Sequence, residues 1–355
     1  MKLTEAQFEK SYNLKNEAPK KKDDPNAPRR PVNKDGADCN EILLGYYCAG
    51  KNWSLFHDAK KVQEELKKYK EILDYHKPGE YENQDGRAQE QAKVALEWAA
   101  ANKYKGKVTR VYWTARPGVL SKAVGYDVDS RKNPTDTLLR FGKNKFLGLS
   151  AKSTGQSSGD IGFKNPGIGK LADLSQRDLV NTAQKAMNSR SIKKLDFNDE
   201  TGNGKRKAYL KKIGAYPLPA GSKTPTAMGM PYYKAGHKVL AAVRDELMDA
   251  YNGMSQEERK MHFIDDWLDA AGGLPYYIKV VGFGKKGKYT AKVVDPVYDE
   301  KTLVLSSSDV GFEPTGTSSI LVTANGVGLF KIRAKWESAP LASTIKFSGD
   351  PLTGW

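Results

Sequence analysis

The hydrophobic period changes near residue 107, and that change limits the folds open to this chain more than any other feature. Before it, residues 58–76 place Val62, Leu66, Tyr69 and Leu73 on one face at three- and four-residue steps, the spacing of an amphipathic helix. Residues 87–103 continue in helical fashion with an Ala-rich face suited to close packing, and Pro78-Gly79 separates the two segments. After it, residues 108–115 are β-branched and aromatic, which predicts a strand. Residues 137–141 and 146–153 predict two more, joined by the hairpin connection Gly142-Lys143-Asn144-Lys145. Helices that lead into strands predict an α/β or α+β core.

The remaining segments attach to that core. Residues 15–38 are rich in Lys, Arg, Pro and Asp and nearly free of large apolar side chains, so the segment 1–38 reads as a basic arm with little to bury and no part in folding. Its clusters Lys20–Lys22 and Arg29-Arg30 suit either a phosphate backbone or a solvated tail. Residues 40–47 predict a short buried helix capped by Asp38 or Asn40. Residues 171–190, 237–253 and 255–270 read as helices, the last opened by a Ser-Gln-Glu-Glu capping box at Ser255. Residues 154–170 and 196–236 read as loop or irregular. From Pro275 the chain turns to strand character, including 302–307 (TLVLSS). The expected organisation is an arm (1–38), a core with helical insertions (39–270) and a β-rich part (271–355) that extends the core sheet or forms a small domain.

Charge narrows the partner. Lys plus Arg number 58 against 42 Asp plus Glu, leaving +16, a field that draws polyanions. Nucleic acid is the commonest of these. No run approaches the roughly 18 apolar residues of a spanning helix, and the N-terminus has no secretory pattern, so a cytoplasmic protein is expected. Cys39 and Cys48 form no CxxC, and His57, His76, His237 and His262 show no metal spacing, which argues against zinc and for buried thiols.

Chemistry concentrates in Asn133-Pro134-Thr135-Asp136, which opens one strand, and in Ser150-Ala151-Lys152 on the next. Positions two apart in a strand share a face. Ser150 and Lys152 therefore point one way, while Leu147, Leu149 and Ala151 point into the core. A lysine placed there needs a partner, and Asp136 across the hairpin supplies one. Read alone, Asp136 also suits a turn residue and Lys152 an edge-strand lysine that discourages aggregation.

This arrangement resembles the PD-(D/E)xK superfamily of restriction-endonuclease-like nucleases. Pro134-Thr135-Asp136 stands for the acid-bearing motif, displaced by one residue from Pro-Asp, and Ser150-Ala151-Lys152 stands for E-x-K. Glu41, in Asn40-Glu41-Ile42-Leu43-Leu44, stands for the early-helix Glu of many members. The order Glu, Asp, x-Lys and the spacing of 16 (152 − 136) are ordinary for the family. The resemblance spans about residues 39–170 and implies a restriction-endonuclease-like central sheet. It also implies Mg²⁺ or Mn²⁺ held by Glu41 and Asp136, and Lys152 acting on the attacking water or on transition-state charge. Ser150 departs from the family's Glu or Asp and removes one negative charge from the site. Glu41 is the first substitute acid, with Glu90, Glu97 and Asp160 behind it.

Two further stretches bear on binding. Residues 155–169 carry several glycines and Lys164 but neither GK[ST] nor GxGxxG, so they suit a substrate-contacting loop better than a P-loop. Lys331, Arg333 and Lys335 alternate with apolar residues, with Trp336 at the end and Lys346 beyond. That places the cations on one sheet face, where they suit either a phosphate backbone or plain solvation. The expected function is a metal-dependent DNA endonuclease, restriction-type or phage-type, acting on duplex or branched DNA; for duplex cleavage the resemblance implies two active sites and hence a homodimer. The competing readings are a non-catalytic DNA-binding or virion-associated structural protein, and an RNA-directed nuclease.

Overall fold

A computed structural model describes residues 27–29, 31, 33–129, 133–157, 178–195, 202–218, 224–267, 275–298 and 300–352. Among them are ten α-helices and two sheets, a mixed α/β architecture as the change of period predicts.

The first unit is built on three helices, α1 (Asn33–Cys48), α2 (Ala59–His76) and α3 (Glu80–Ala101). Strands β1 (Val108–Trp113), β2 (Thr137–Phe141) and β3 (Lys145–Thr154) form an antiparallel meander, with the short helix α4 (Val119–Val124) between the first two. The sheet is completed late in the chain by β4 (Tyr277–Lys285), parallel to β3, and β5 (Lys288–Val294), antiparallel to β4. Strand order is therefore β1-β2-β3-β4-β5. Alternation sends Val111, Leu139, Leu147, Leu149, Ala151, Ile278 and Val280 to one face, where they pack against α1, α2 and α3. Leu138 and Tyr112 go to the other face, against Leu120 of α4.

The second unit has its own core. It comprises α5 (Leu179–Met187), α6 (Arg190–Lys193), α7 (Asn203–Lys212), α8 (Met230–Asn252), α9 (Gln256–Trp267) and α10 (Glu300–Ser307). These pack on one face of an antiparallel sheet of β6 (Val310–Thr315), β7 (Ser319–Ala324), β8 (Val327–Trp336) and β9 (Ile345–Pro351). The capping box at Ser255 forms as expected: Ser255 N and Oγ both donate to Glu258 Oε2, at 2.9 and 2.8 Å.

Several sequence expectations change. The first helix begins at Asn33, so 33–38 belong to a helix and not to an arm; Asp38 and Asn40 lie inside it, both buried. They had read as caps because a side chain that competes for backbone groups favours helix ends; here tertiary partners engage them instead. Tyr69 Oη donates to Asp38 Oδ2 at 2.9 Å, and Asn40 Nδ2 donates to Gln84 O at 3.3 Å. Residues 302–307 are helical, within α10, and residues 203–212, expected to be irregular, form α7. A short apolar run such as TLVLSS fits either state, and its contacts decide. No helix of the described residues is long and apolar enough to cross a membrane.

Candidate functional site

The end of the first sheet where β1 finishes and β2 begins brings the motif residues together. Helix α1 crosses that end closely because residue 45 has no side chain. A Cβ on Gly45 would meet Val111 Cγ1 at 2.9 Å and Thr137 Cγ2 at 3.2 Å. Thr137 Oγ1, at the first position of β2, donates to Glu41 O at 2.9 Å and fixes the helix register over the sheet. Glu41 is thereby carried onto the sheet end and buried. Trp113 Nε1, from the last residue of β1, donates to Glu41 Oε2 at 3.0 Å.

Asp136 precedes β2 and reaches across the hairpin. Its Oδ2 accepts from Ala151 N at 2.8 Å and lies 3.7 Å from Lys152 Nζ. The pairing that the spacing predicted is present, although the Lys152 side chain is 51% exposed rather than buried. β3 lies between β2 and β4, so Lys152 is not an edge-strand lysine. Gln91 of α3, fully buried, donates through Nε2 to Lys152 O at 2.9 Å and to Val280 O at 2.8 Å. It ties the lysine's backbone on β3 to the neighbouring strand β4. Gly282 makes room for this approach, since a Cβ there would meet Arg87 and Gln91 at 2.9 to 3.0 Å.

The electrostatics report proximity. Burial first, and then the charge of Asp136, push Glu41 up to about 8, against opposing effects of the Trp113 hydrogen bond and Lys152. Asp136 is also raised, first by burial, while Lys152 and the Ala151 amide hold it down. A desolvated carboxylate that feels the charge of another favours a proton or a cation.

Sequence reasoning missed Asp38, one helical turn before Glu41. It is buried, its pKa is raised mainly by desolvation, and its charge acts on both Glu41 and Asp136. An Asp-x-x-Glu pair on a helix would have signalled it, since positions three apart share a face. Lys279 was missed as well. It lies on β4 directly opposite Ser150, on the face shared with Lys152, and is buried. Ser150 Oγ is buried with no hydrogen-bond partner among the described residues.

The substitute acids divide. The carboxylates that act most strongly on Glu41 are Asp136 and Asp38, not Glu90 or Glu97. Asp160 lies outside the described residues, as do Lys164 and Arg30. Arg29 forks onto Asp35 with bonds of 2.8 and 2.6 Å, so its guanidinium already has a carboxylate partner.

Fit to a divalent ion is partial. Glu41 and Asp136 supply the hard oxygen donors that Mg²⁺ prefers. No group of three or more His, Cys, Asp or Glu side chains suited to a metal occurs among the described residues.

The second sheet carries the other predicted cations. Ile332, Ala334 and Phe347 face the helices. Lys331, Arg333, Lys335 and Lys346 thus share the outer face, with Lys335 directly opposite Lys346. Like charges opposed across strands repel, and Glu337 relieves this in part through a 2.6 Å contact with Lys346 Nζ. No family model matches the chain, and no curated protein matches its sequence.

Proposed function

We propose that the protein is a metal-dependent DNA endonuclease whose active centre lies at the β1–β2 end of the first sheet. The observation that carries this reading is the meeting of Glu41, Asp136 and Lys152, which come from a helix, a loop and a strand far apart in sequence. A mixed sheet flanked by helices, with the acid just before one hairpin strand and the x-Lys on the next, suits a PD-(D/E)xK nuclease.

Glu41 and Asp136 would hold Mg²⁺ or Mn²⁺, and a bound ion of this kind lowers the pKa of a coordinated water and neutralises charge on a phosphodiester. The chain's own groups do the rest. The Ala151 amide and Trp113 Nε1 fix one oxygen of each carboxylate, so both are oriented before any ligand arrives. The Lys152 ammonium, half in solvent and anchored through its backbone by Gln91, can donate to an attacking water or to a phosphate oxygen. The outer-face cations of the second sheet suit phosphate contacts.

A second reading has its own support. Serine occupies position 150, where an acid is expected. The serine suits a non-catalytic DNA-binding or virion-associated structural protein. Supercoiled plasmid and branched DNA incubated with Mg²⁺ or Mn²⁺, with an EDTA control, separate the two. Metal-dependent nicking establishes the nuclease. Binding without cleavage under every divalent ion establishes the structural protein.

A further inference from the structure

A cavity of about 250 Å³ lies in the second unit, at the C-terminal end of β8. It is remote in sequence from the residues proposed for catalysis. Its walls include Tyr216, Tyr232, Tyr233, His237 and Trp336, five rings around one space. Tyr233 and His237 sit ring to ring at 4.5 Å, tilted by 55°. Trp336 is held by its Nε1 donating to Gly236 O at 3.2 Å, and a Cβ on Gly236 would lie 2.9 Å from that same nitrogen. The absence of a side chain at position 236 therefore sets the indole in place. Burial pushes the His237 imidazole below its usual range, which favours the neutral ring.

Positive charge adjoins this aromatic lining. Lys207 Nζ donates to Ser338 Oγ at 3.1 Å and stands 5.6 Å from the centre of the Tyr216 ring; Ser338 and Tyr216 both line the cavity. Arg333 and Lys335 border it from β8, and strand alternation turns them toward the outer face that also carries Lys346. A single strand position separates the inward Trp336 from the outward Lys335.

Rings beside cations suit a flat, electron-rich group with a negative charge attached. The volume is below the usual range for drug-sized ligand sites, roughly 300–1,000 Å³, and suits one ring system rather than a large cofactor. Unpaired bases bind proteins by stacking on aromatic side chains while cations follow their phosphates. We infer that this cavity receives an unpaired base of single-stranded DNA, whose flanking phosphates lie along Lys335 and Lys346. The inference rests on the reading of the protein as DNA-directed and deepens it: the preferred substrate has a single-stranded segment, as in a fork, flap or overhang. Fully paired duplex has no base to insert and would meet only the outer-face cations.

The test is fluorescence polarisation in EDTA, with a labelled oligothymidylate and a blunt duplex of equal length, on the full-length protein and its Tyr233→Leu variant. Stacking contributes roughly 1–3 kcal/mol per base, so the variant should lose about tenfold in single-strand affinity and keep its duplex affinity. A thermal melt of the variant checks that it is folded. Photocrosslinking of a 5-iodouracil-bearing strand to the wild-type protein, mapped by mass spectrometry, reads the contact without any substitution and should mark Tyr216, Tyr233 or Trp336. Crosslinks confined to other regions, or equal loss of both DNA forms in a folded Tyr233→Leu, overturn the inference and leave the nuclease reading standing. Binding to neither DNA form at low salt overturns both.

Discussion

At the end of the first sheet, Glu41 and Asp136 repel each other with most of their water removed; on the outer face of the second, Lys335 and Lys346 repel each other in contact with solvent. Both are like-charge pairs suited to an ion of opposite sign, yet they respond very differently. Desolvation magnifies the repulsion at the carboxylates and moves Glu41 to about 8. Water and salt screen the lysines, and Glu337 lies against one of them. The buried pair suits tight geometric control of a small hard ion. The exposed pair suits loose, salt-sensitive attraction of a long polyanion.

Asp136→Ala and Lys152→Ala probe the buried half of this contrast and should have the largest effects. Each is expected to lower the cleavage rate by roughly two to three orders of magnitude, the scale of removing a group that acts on transition-state charge. DNA affinity should change by only a few-fold. Cleavage by Asp136→Ala at the wild-type rate, read on plasmid gels, would remove the proposed site altogether.

The double variant Lys335→Ala/Lys346→Ala probes the exposed half. If both lysines touch phosphates, the slope of log K against log salt should flatten by roughly 1.8, about 0.9 for each contact, while bound substrate is cut at the normal rate. An unchanged slope would reduce the outer face to a solvated surface.

Gly45→Val tests how the buried pair is assembled. The added side chain would press on Val111, Phe56 and Thr137. Overpacking of this kind destabilises by about 1–3 kcal/mol, which chemical denaturation would detect. Unchanged stability would mean that α1 is free to retreat from the sheet.

Glu41→Gln removes a proposed metal ligand and should lower cleavage as Asp136→Ala does, but its smaller and more informative effect is on stability. The carboxyl of Glu41 is raised in the fold to about 8, against roughly 4.3 in an unfolded chain. Its contribution to stability is therefore fully present below the unfolded value and is lost as pH rises toward 8. Gln keeps an acceptor for Trp113 and does not titrate. The melting temperature of the variant should match wild type near pH 4 and exceed it by a few degrees near pH 8, without divalent ions. Added Mg²⁺ should stabilise the wild type increasingly over the same range, since a proton must leave, and should not stabilise the variant. A constant difference between the two at every pH would mean that Glu41 is not the titrating group.

What could be read without tertiary structure was whatever local period and local chemistry determine. Three- and four-residue steps place Val62, Leu66, Tyr69 and Leu73 on the buried face of α2, and alternation places Leu147, Leu149 and Ala151 in the core. The same alternation puts Lys331, Arg333 and Lys335 on one face, and the sixteen-residue separation brings Asp136 to Lys152 across a tight hairpin. Helix α10 in place of a strand, helix α7 in place of an irregular stretch, and the extension of α1 back to Asn33 were not legible. In such short or polar segments propensity is weak and packing partners choose the state. Nor does any local pattern announce that β4, which starts 123 residues after β3 ends (277 − 154), pairs with it in parallel, or that Gln91 bridges those two strands. The meeting of Asp38, Glu41 and Asp136 has the same origin. Single positions show which groups can ionise, but desolvation and mutual repulsion arise only when α1 is drawn against the sheet end through the gap at Gly45.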